Sequence, residues 1–207
     1  MVFRRIERRL RSWLGMGWSA QEFQQRYAAK SQDAWGYLES AAHAERSSRI
    51  LRAFAGWQPQ RVLEVGCAEG FLTKRLLLLA NQVVACDLSD LAAARAAAHC
   101  AGVGSGLFLT MDIRRKIPKG KFDTCLLSDV LYYLSPAEIR DLSGRLHRSM
   151  PKPRRLIFAN EWNVSYRDLT TPEVALQCLT TSGQWSCVQT DRLDLGDGKS
   201  HVLALLE

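Results

Sequence analysis

The chain of 207 residues is 47% hydrophobic and includes six tryptophans, which is typical of a globular protein and excludes a largely disordered one. Its net charge of +7 is uneven, because five arginines lie within the first eleven residues. The rest of the chain is nearly balanced in charge, so we expect no nucleic-acid partner. No apolar run approaches the roughly 20 residues that would span a bilayer.

Cysteine and histidine spacing gives no sign of a metal site or a disulfide framework. The six cysteines contain no C-x-x-C pair, and several fall inside apolar runs. The four histidines are scattered without metal-ligand spacing. We therefore expect reduced thiols, no metal and a cytoplasmic location.

Residues 1–17 predict a basic amphipathic helix ahead of the main domain. Apolar side chains such as Phe3, Ile6 and Leu10 share one helical face, and the arginines occupy the other. Two interpretations stay open: residues 1–14 lie on an anionic membrane, or the helix packs on its own domain. Membrane association is thus an alternative to a purely cytoplasmic location.

Residues 18–58 predict a helical lid or lead-in to the main domain. Ser19 and Glu22 have the spacing of a capping box at the start of a helix. Trp35 and Tyr37 lie in an aromatic turn further on. They either close over a ligand or anchor the packing of the next helix.

From residue 59 to residue 207, strands and helices alternate. The predicted strands are residues 62–65, 82–86, 107–111, 122–128, 154–159, 185–193 and 201–206. The last two flank a Gly-Asp-Gly sequence, which is a hairpin signal. This pattern predicts a Rossmann-like α/β fold, a mostly parallel seven-stranded sheet with a C-terminal antiparallel hairpin and helices on both faces.

The first predicted strand leads into a tight turn of small residues, 66–70, and then into a helix, an arrangement that turns backbone N–H groups toward a ligand. Acidic residues mark the ends of three successive strands: Glu64, Asp87 and Asp112. Asp87 follows Gly66 by 21 positions, where a carboxylate can bind both ribose hydroxyls of NAD or of an S-adenosyl donor.

The turn favours the S-adenosyl donor over NAD. A dinucleotide fingerprint would need its third glycine at Phe71. The Glu64 carboxylate would repel a pyrophosphate, whereas it suits the ammonium group of a methionine moiety. The sequence therefore predicts S-adenosylmethionine as the cofactor and S-adenosylhomocysteine as its product.

These motifs resemble a known class of enzyme. Residues 61–159 are similar to class I S-adenosylmethionine-dependent methyltransferases, with Ala68 standing where a second glycine is common. More narrowly, Asp33-x-Trp35, Glu45-Arg46 and Val130-Leu-Tyr-Tyr-Leu134 resemble the rhizobial nodulation protein S family, whose members N-methylate the terminal deacetylated glucosamine of chitooligosaccharide signal precursors. Alanine is small enough for the turn, so we expect donor binding to be kept.

The resemblance implies a role for each strand end. Glu64 would hold the amino group of the donor, Asp87 the ribose hydroxyls and Asp112 the adenine exocyclic amine. Leu88 and Ile113 would flank the adenine. The other residues expected to contact the donor, most of them through backbone donors and close approach, are Gly66, Cys67, Ala68, Gly70 and Ser128. For the three acids, the alternative is a solvated charge or a cap on the next turn.

Methyl transfer in line needs mainly proximity, alignment and a neutral nucleophile. Asp129, Tyr133 and Glu161 follow the fourth and fifth strands, over the expected position of the methyl group. We expect Tyr133 to orient the nucleophile and Asp129 or Glu161 to hold an amine. The candidates for acceptor binding are Trp35, Tyr37, Tyr132 and Trp162. Core packing is the alternative for one of the two adjacent tyrosines.

The predicted function is transfer of a methyl group from S-adenosylmethionine to a small polar acceptor. The favoured acceptor is an amine or hydroxyl of a sugar or aminosugar, free or linked to a carrier. O-methylation of a polysaccharide or natural product is one alternative. A non-catalytic adaptor that binds the donor is another, because a fold does not by itself prove turnover.

Overall fold

The computed structural model of the chain describes residues 19–30, 32–38, 40–161, 170–181, 183–196 and 199–207. The predicted basic helix of residues 1–17 and the acceptor candidate Trp162 lie outside the described residues. Within the described ranges, no helix is long and apolar enough to cross a membrane.

One sheet of seven strands runs through the described part of the chain. The strands are β1 (Arg61–Val65), β2 (Gln82–Asp87), β3 (Gly106–Thr110), β4 (Thr124–Ser128), β5 (Arg155–Glu161), β6 (Cys187–Gly196) and β7 (Lys199–Leu206). Their spatial order is β3-β2-β1-β4-β5-β7-β6. Strands β1 to β5 are parallel, and β7 runs antiparallel to both β5 and β6. The predicted Rossmann-like fold is therefore confirmed.

Each predicted strand differs from the observed one by one to three residues at one end or both, and two of these differences are informative. The predicted fifth strand stops at residue 159, whereas β5 continues to Glu161 because β7 pairs with it there, opposite His201. The predicted sixth strand begins at residue 185, yet Trp185 is buried outside the ladder and β6 begins at Cys187. The first difference arises from antiparallel pairing with β7, a strand distant in sequence, which leaves little local signal.

Six α-helices and one 3₁₀ helix cover the sheet in the described chain. They are α1 (Ala20–Ala28), α2 (Ala41–Arg52), α3 (Phe71–Leu76), α4 (Asp90–His99), the 3₁₀ helix (Leu131–Tyr133), α5 (Pro136–Ser149) and α6 (Pro172–Thr180). The predicted capping box of Ser19 and Glu22 begins α1. Side chains of Ser89, Ser135 and Thr171 accept from backbone N–H groups at the starts of α4, α5 and α6. The capping box at the start of α1 confirms the one helix start that the sequence analysis predicts.

The sheet is buried on both faces. Successive side chains of β1 alternate, so Leu63 lies in one apolar cluster with Phe158 while Val62 lies in the opposite cluster with Leu76. Burial on both faces explains why the parallel strands appear in the sequence as nearly continuous apolar runs.

A smaller apolar cluster places α1 over one edge of the sheet. Tyr27 from α1 and Ala34 from the following turn pack with Ala68, after β1, and Ala92 of α4. All four residues are at most 8% exposed. The covered edge is formed by the carboxyl ends of β1 and β2, next to the reversal of strand order between β1 and β4. Open α/β sheets bind their ligands at such a reversal.

Candidate active site

A cavity of about 310 Å³ opens where β1, β2 and β4 end. The sequence-predicted residues that line it are Trp35, Tyr37, Gly66, Ala68, Asp87, Leu88, Asp112, Ile113, Ser128, Asp129, Tyr132, Tyr133 and Glu161. The predicted donor-binding residues Glu64, Cys67 and Gly70 do not line it. The strand ends thus bring most of the candidates to one place.

The turn after β1 uses its backbone N–H groups inside the protein. Those of Gly66 and Cys67 both donate to Cys86 O, at 2.8 and 3.1 Å. That of Ala68 donates to Asp87 Oδ2 at 3.0 Å. These N–H groups join the end of β1 to the end of β2, and the expectation that the turn lends backbone donors to the cofactor stays a prediction.

The backbone of the turn lies close to neighbouring groups, because its glycines carry no side chain. Gly66 has φ +77°, and a Cβ built there would overlap the side chain of Val130. Ala68 also adopts the left-handed region, with φ +48°, where a glycine is more usual. The Gly70 N–H closes the turn by donating to Cys67 O at 2.9 Å. The alanine is therefore accommodated in the conformation that the turn requires.

A carboxylate lines the cavity at the end of β2. Asp87 accepts from the Ala68 N–H at 3.0 Å and from the Ser89 N–H at 2.9 Å. Burial raises the pKa of Asp87 to about 6, against the lowering effect of these hydrogen bonds. At neutral pH the side chain is an anion that can accept from a pair of hydroxyl groups.

Glu64 lies beneath the cavity rather than on its surface. It is 2% exposed, and its Oε2 has no hydrogen-bond partner. Burial raises the pKa of Glu64 to about 7, although Thr73 and the charge of Arg46 partly offset this. Glu64 therefore offers a ligand no surface contact, and its carboxyl group is only partly ionised at neutral pH.

The β3 end of the cavity combines apolar side chains with one carboxylate. Leu88, Met111 and Ile113 line this end together with Asp112. Arg114 donates to both Asp112 oxygens at 2.9 Å. Burial would raise the pKa of Asp112, but the hydrogen bonds from Arg114 hold it below the ordinary value. This environment suits a flat heterocycle that carries an amine at its edge.

At the end of β4, Asp129 forms a buried ion pair with Arg46 of α2, at 2.6 Å. The same guanidinium hydrogen-bonds Ser128, and its Nε donates to His201 Nε2 at 3.1 Å. Asp129 Oδ1 accepts from the Glu161 N–H at 2.9 Å. Burial would raise the pKa of Asp129, but the Arg46 charge holds it well below its usual range. Asp129 is a fixed anion and a poor proton acceptor.

Aromatic rings line the opposite half of the cavity. Tyr132 and Tyr133 contact edge to face, with centroids 4.4 Å apart. Burial raises the pKa of both phenols, and that of Tyr37 to about 12, so all three are neutral hydroxyl groups. Trp35 lines the cavity while its Nε1 donates to the Tyr27 hydroxyl at 2.9 Å. It is therefore both a wall of the cavity and a packing anchor.

A bracket of hydrogen bonds through Glu69 and Arg95 ties α1 and the segment after it to the turn after β1. Glu69, which is 3% exposed, accepts from the Ala34 N–H at 2.8 Å and from Arg95 at 2.9 Å. Arg95 also donates to the carbonyl groups of Tyr27 and Lys30, at the end of α1. The wall of the cavity formed by α1 is thus fixed to the turn itself.

Several of these residues have no role that the sequence predicts. Arg46 was part of a motif that carries the family resemblance, and a lone arginine among the buried positions of α2 was an available signal. Glu69 lies inside the small-residue turn, where a large acid is unexpected. His201 had no signal, because only the pairing of β7 with β5 brings it to the site.

The cavity fits the cofactor predicted from the sequence. Asp87 presents a carboxylate that can accept from a pair of hydroxyl groups, and the apolar pocket next to it contains one fixed acceptor, Asp112, which suits an adenosine group. With the sheet order β3-β2-β1-β4-β5-β7-β6, these features define a class I S-adenosylmethionine-dependent methyltransferase fold. The family model for nodulation protein S matches residues 6–163. The chain therefore belongs to the nodulation protein S family of S-adenosylmethionine-dependent methyltransferases.

Two curated relatives agree with this family. Nodulation protein S of Sinorhizobium fredii is 27% identical over 139 residues, which cover 66% of this chain and 64% of the relative. Nodulation protein S of Bradyrhizobium diazoefficiens is 30% identical over 120 residues, covering 55% and 57%. The chain thus matches less than two thirds of the length of each relative.

Solved structures share the fold at low identity. The N-methyltransferase NodS from Bradyrhizobium japonicum WM9, in complex with S-adenosylhomocysteine, has a TM-score of 0.79 at 20% identity, covering 91% of this chain and 97% of its own. The DhpI complex with the same product has a TM-score of 0.70 at 19% identity, covering 90% and 94%. Magnesium protoporphyrin IX methyltransferase from Synechocystis PCC 6803, with bound S-adenosylmethionine, has a TM-score of 0.63 at 21% identity, covering 80% of each.

Proposed function

We propose that this chain methylates an amine or hydroxyl of a sugar or aminosugar, with S-adenosylmethionine as the methyl donor. The observation that carries the proposal is one continuous cavity with two unlike halves. The half at the ends of β2 and β3 presents Asp87, Asp112 and apolar side chains, and the half at the ends of β4 and β5 presents aromatic rings with Asp129 and Glu161. We infer that the two halves take two substrates of different chemistry, the methyl donor and its acceptor.

In the donor half, the proposed roles follow from the contacts already described. Bound S-adenosylmethionine supplies an electrophilic methyl group on a sulfonium. Asp87 accepts from the two ribose hydroxyls, and Leu88 and Ile113 flank the adenine. Asp112 accepts from the exocyclic amine. Glu64 stabilises the cationic methionine end through its charge.

In the acceptor half, flat rings and fixed polar groups would position a sugar. Trp35 and Tyr132 line this half and are proposed to contact the sugar ring. Tyr133, a neutral hydroxyl, orients the nucleophile, and Glu161 receives the proton of an acceptor amine. Asp129 accepts a hydrogen bond but keeps its negative charge, because Arg46 is paired with it. A stacking role for Trp162 is proposed on sequence alone.

A labelled-methyl assay tests the acceptor. The full chain is incubated with S-adenosylmethionine and either glucosamine oligomers or N-acetylglucosamine oligomers, a matched acceptor without a free amine. Label on the glucosamine oligomers alone supports an amine acceptor, and equal label on both supports a hydroxyl. We expect Glu161→Gln to reduce amine methylation about 100-fold while S-adenosylhomocysteine affinity stays unchanged. Product binding without transfer to any sugar or phenol would overturn the acceptor class and favour the adaptor.

The N-terminal residues are proposed to serve this site in two ways. Residues 18–58 form the lid of the methyltransferase domain, residues 59–207. Residues 1–14 contact an anionic membrane, a proposal that rests on the arginine pattern. Co-sedimentation with anionic liposomes, with and without residues 1–15, tests that contact, and a full chain that stays in the supernatant contradicts it.

A further inference from the structure

The Asp112 carboxylate accepts hydrogen bonds from both the backbone and the side chain of Arg114, two positions after it. Arg114 donates to Asp112 Oδ1 from its backbone N–H at 3.0 Å and from Nε at 2.9 Å, and to Oδ2 from Nη2 at 2.9 Å. A guanidinium and a carboxylate that meet through two parallel hydrogen bonds fix each other's orientation as well as their charge. The carboxylate of Asp112 cannot turn without breaking this pairing.

The surroundings distinguish this pair from an ordinary surface ion pair. Arg114 and Asp112 both line the cavity, and their side chains are 24% and 20% exposed, respectively. The carbonyl oxygen of Arg114 accepts from Arg145 of α5 at 3.1 Å, so its backbone is anchored as well. Arg115, by contrast, lies 3.7 Å from Asp112 and is 86% exposed. Two adjacent arginines therefore share one carboxylate, but only Arg114 is built into the cavity wall.

The pairing leaves Asp112 little freedom in what it can bind. A carboxylate offers about four acceptor positions, and Arg114 occupies three of them. The remaining position is on Oδ2, in a wall that also contains Ile113 and Leu88. Because the group stays ionised, it can accept a hydrogen bond but cannot donate one. A ligand that presents an amine there gains a hydrogen bond, whereas one that presents a carbonyl oxygen meets a second acceptor.

We propose that Arg114 is a positioning residue that sets the nucleobase selectivity of the donor site, by fixing Asp112 as a single directed acceptor for the adenine exocyclic amine. This rests on the proposed contact between Asp112 and adenine. The contribution of Arg114 is orientation, so it should affect the discrimination between bases more than the stability of the fold.

Calorimetric titration of the full chain with two ligands tests the proposal. S-adenosylhomocysteine carries the amine, and S-inosylhomocysteine carries a carbonyl oxygen in its place. We expect the unaltered chain to bind the adenosine ligand about 10- to 100-fold more tightly. Arg114→Ala should reduce this ratio to less than about threefold. Arg114→Lys keeps the charge but cannot form the two parallel hydrogen bonds of a guanidinium, so it should restore little of this ratio.

Arg115→Ala is the matched control, because it removes a neighbouring cation outside the cavity wall and should keep the ratio within about twofold. If Arg114→Ala and Arg114→Lys weaken both ligands equally and leave the ratio unchanged, Arg114 is only structural and the proposal is wrong. Asp112→Ala separates the proposed adenine contact from the proposed role of Arg114. A ratio that survives Asp112→Ala contradicts the adenine contact itself, whereas a ratio lost there but kept in Arg114→Ala contradicts only the role of Arg114.

Discussion

Asp129 shows how a neighbouring side chain decides what a carboxylate can do. From the sequence it was a candidate for holding an acceptor amine. In the structure its Oδ2 is paired with Arg46, and its Oδ1 accepts from the Glu161 N–H. Breaking such a buried pair from one side usually costs about 3–5 kcal/mol, because the other charge is left alone. Arg46 therefore keeps Asp129 ionised and fixed in position, and in the proposed reaction Glu161 receives the proton instead.

The turn after β1 allows a sharp prediction at a single position. Gly66 and Gly102 have nearly the same φ, +77° and +78°, but a Cβ would overlap Val130 at the first and meet nothing within 4 Å at the second. Both Gly→Ala variants bear the left-handed cost of about 1–2 kcal/mol. Only Gly66→Ala should displace Val130 into the cavity and weaken S-adenosylhomocysteine binding, by about 10-fold or more in a calorimetric titration.

Val130→Ala provides the rescue for that experiment. Since Val130 is the side chain that the new Cβ would meet, Gly66→Ala combined with Val130→Ala should recover most of the lost affinity. Gly102→Ala should bind the product as the unaltered chain does. Equal affinity losses in the Gly66 and Gly102 variants would mean that backbone strain, and not the collision, controls the turn.

At the scale of whole elements, local signals located most of the fold and long-range pairing decided the rest. Small residues after β1 and a carboxylate at the end of β2 lie within short stretches, so the turn and Asp87 could be predicted. His201 reaches Arg46 across 155 positions of sequence, through the pairing of β7 with β5. Glu64 is predicted to hold the amino group of the donor, and its burial, one residue before the end of β1, could not be read from the sequence.

The attachment of α1 to the turn after β1 predicts a local effect on its dynamics. Arg95 joins Glu69 to the last carbonyl groups of α1, so Arg95→Met should release the helix without disturbing the core. We expect backbone amides in residues 20–30 to exchange with deuterium about 10-fold faster, while those of β4 stay protected.

Arg52→Met is the control for this element, because its pair with Glu45 is 62% and 50% exposed and contributes little. It should leave exchange in residues 20–30 unchanged. If Arg95→Met also leaves exchange there unchanged, the apolar cluster around Tyr27 holds α1 by itself, and the bracket through Glu69 is not what fixes the cavity wall.

Across the whole molecule, the acids at the cavity oppose the stability of the fold. Burial raises the pKa of Glu64 from 4.5 to about 7 and that of Asp87 from 3.8 to about 6. A carboxyl group whose pKa is higher in the folded state favours folding fully only below its unfolded pKa, and this contribution is lost as pH rises through the folded pKa. Stability from these two groups should therefore fall between about pH 4 and pH 7.

Glu64→Gln should remove one part of this dependence, because the amide carries no charge to bury. We expect the variant to match the unaltered chain near pH 4 and to exceed it at pH 8 by roughly 2–3 kcal/mol, measured by urea unfolding at both pH values. Glu173→Gln, an exposed carboxylate in the first turn of α6, should show the same small change at both. A gain from Glu64→Gln that does not grow with pH contradicts the argument. In that case the burial of the Glu64 charge is not what lowers the stability of the fold at neutral pH.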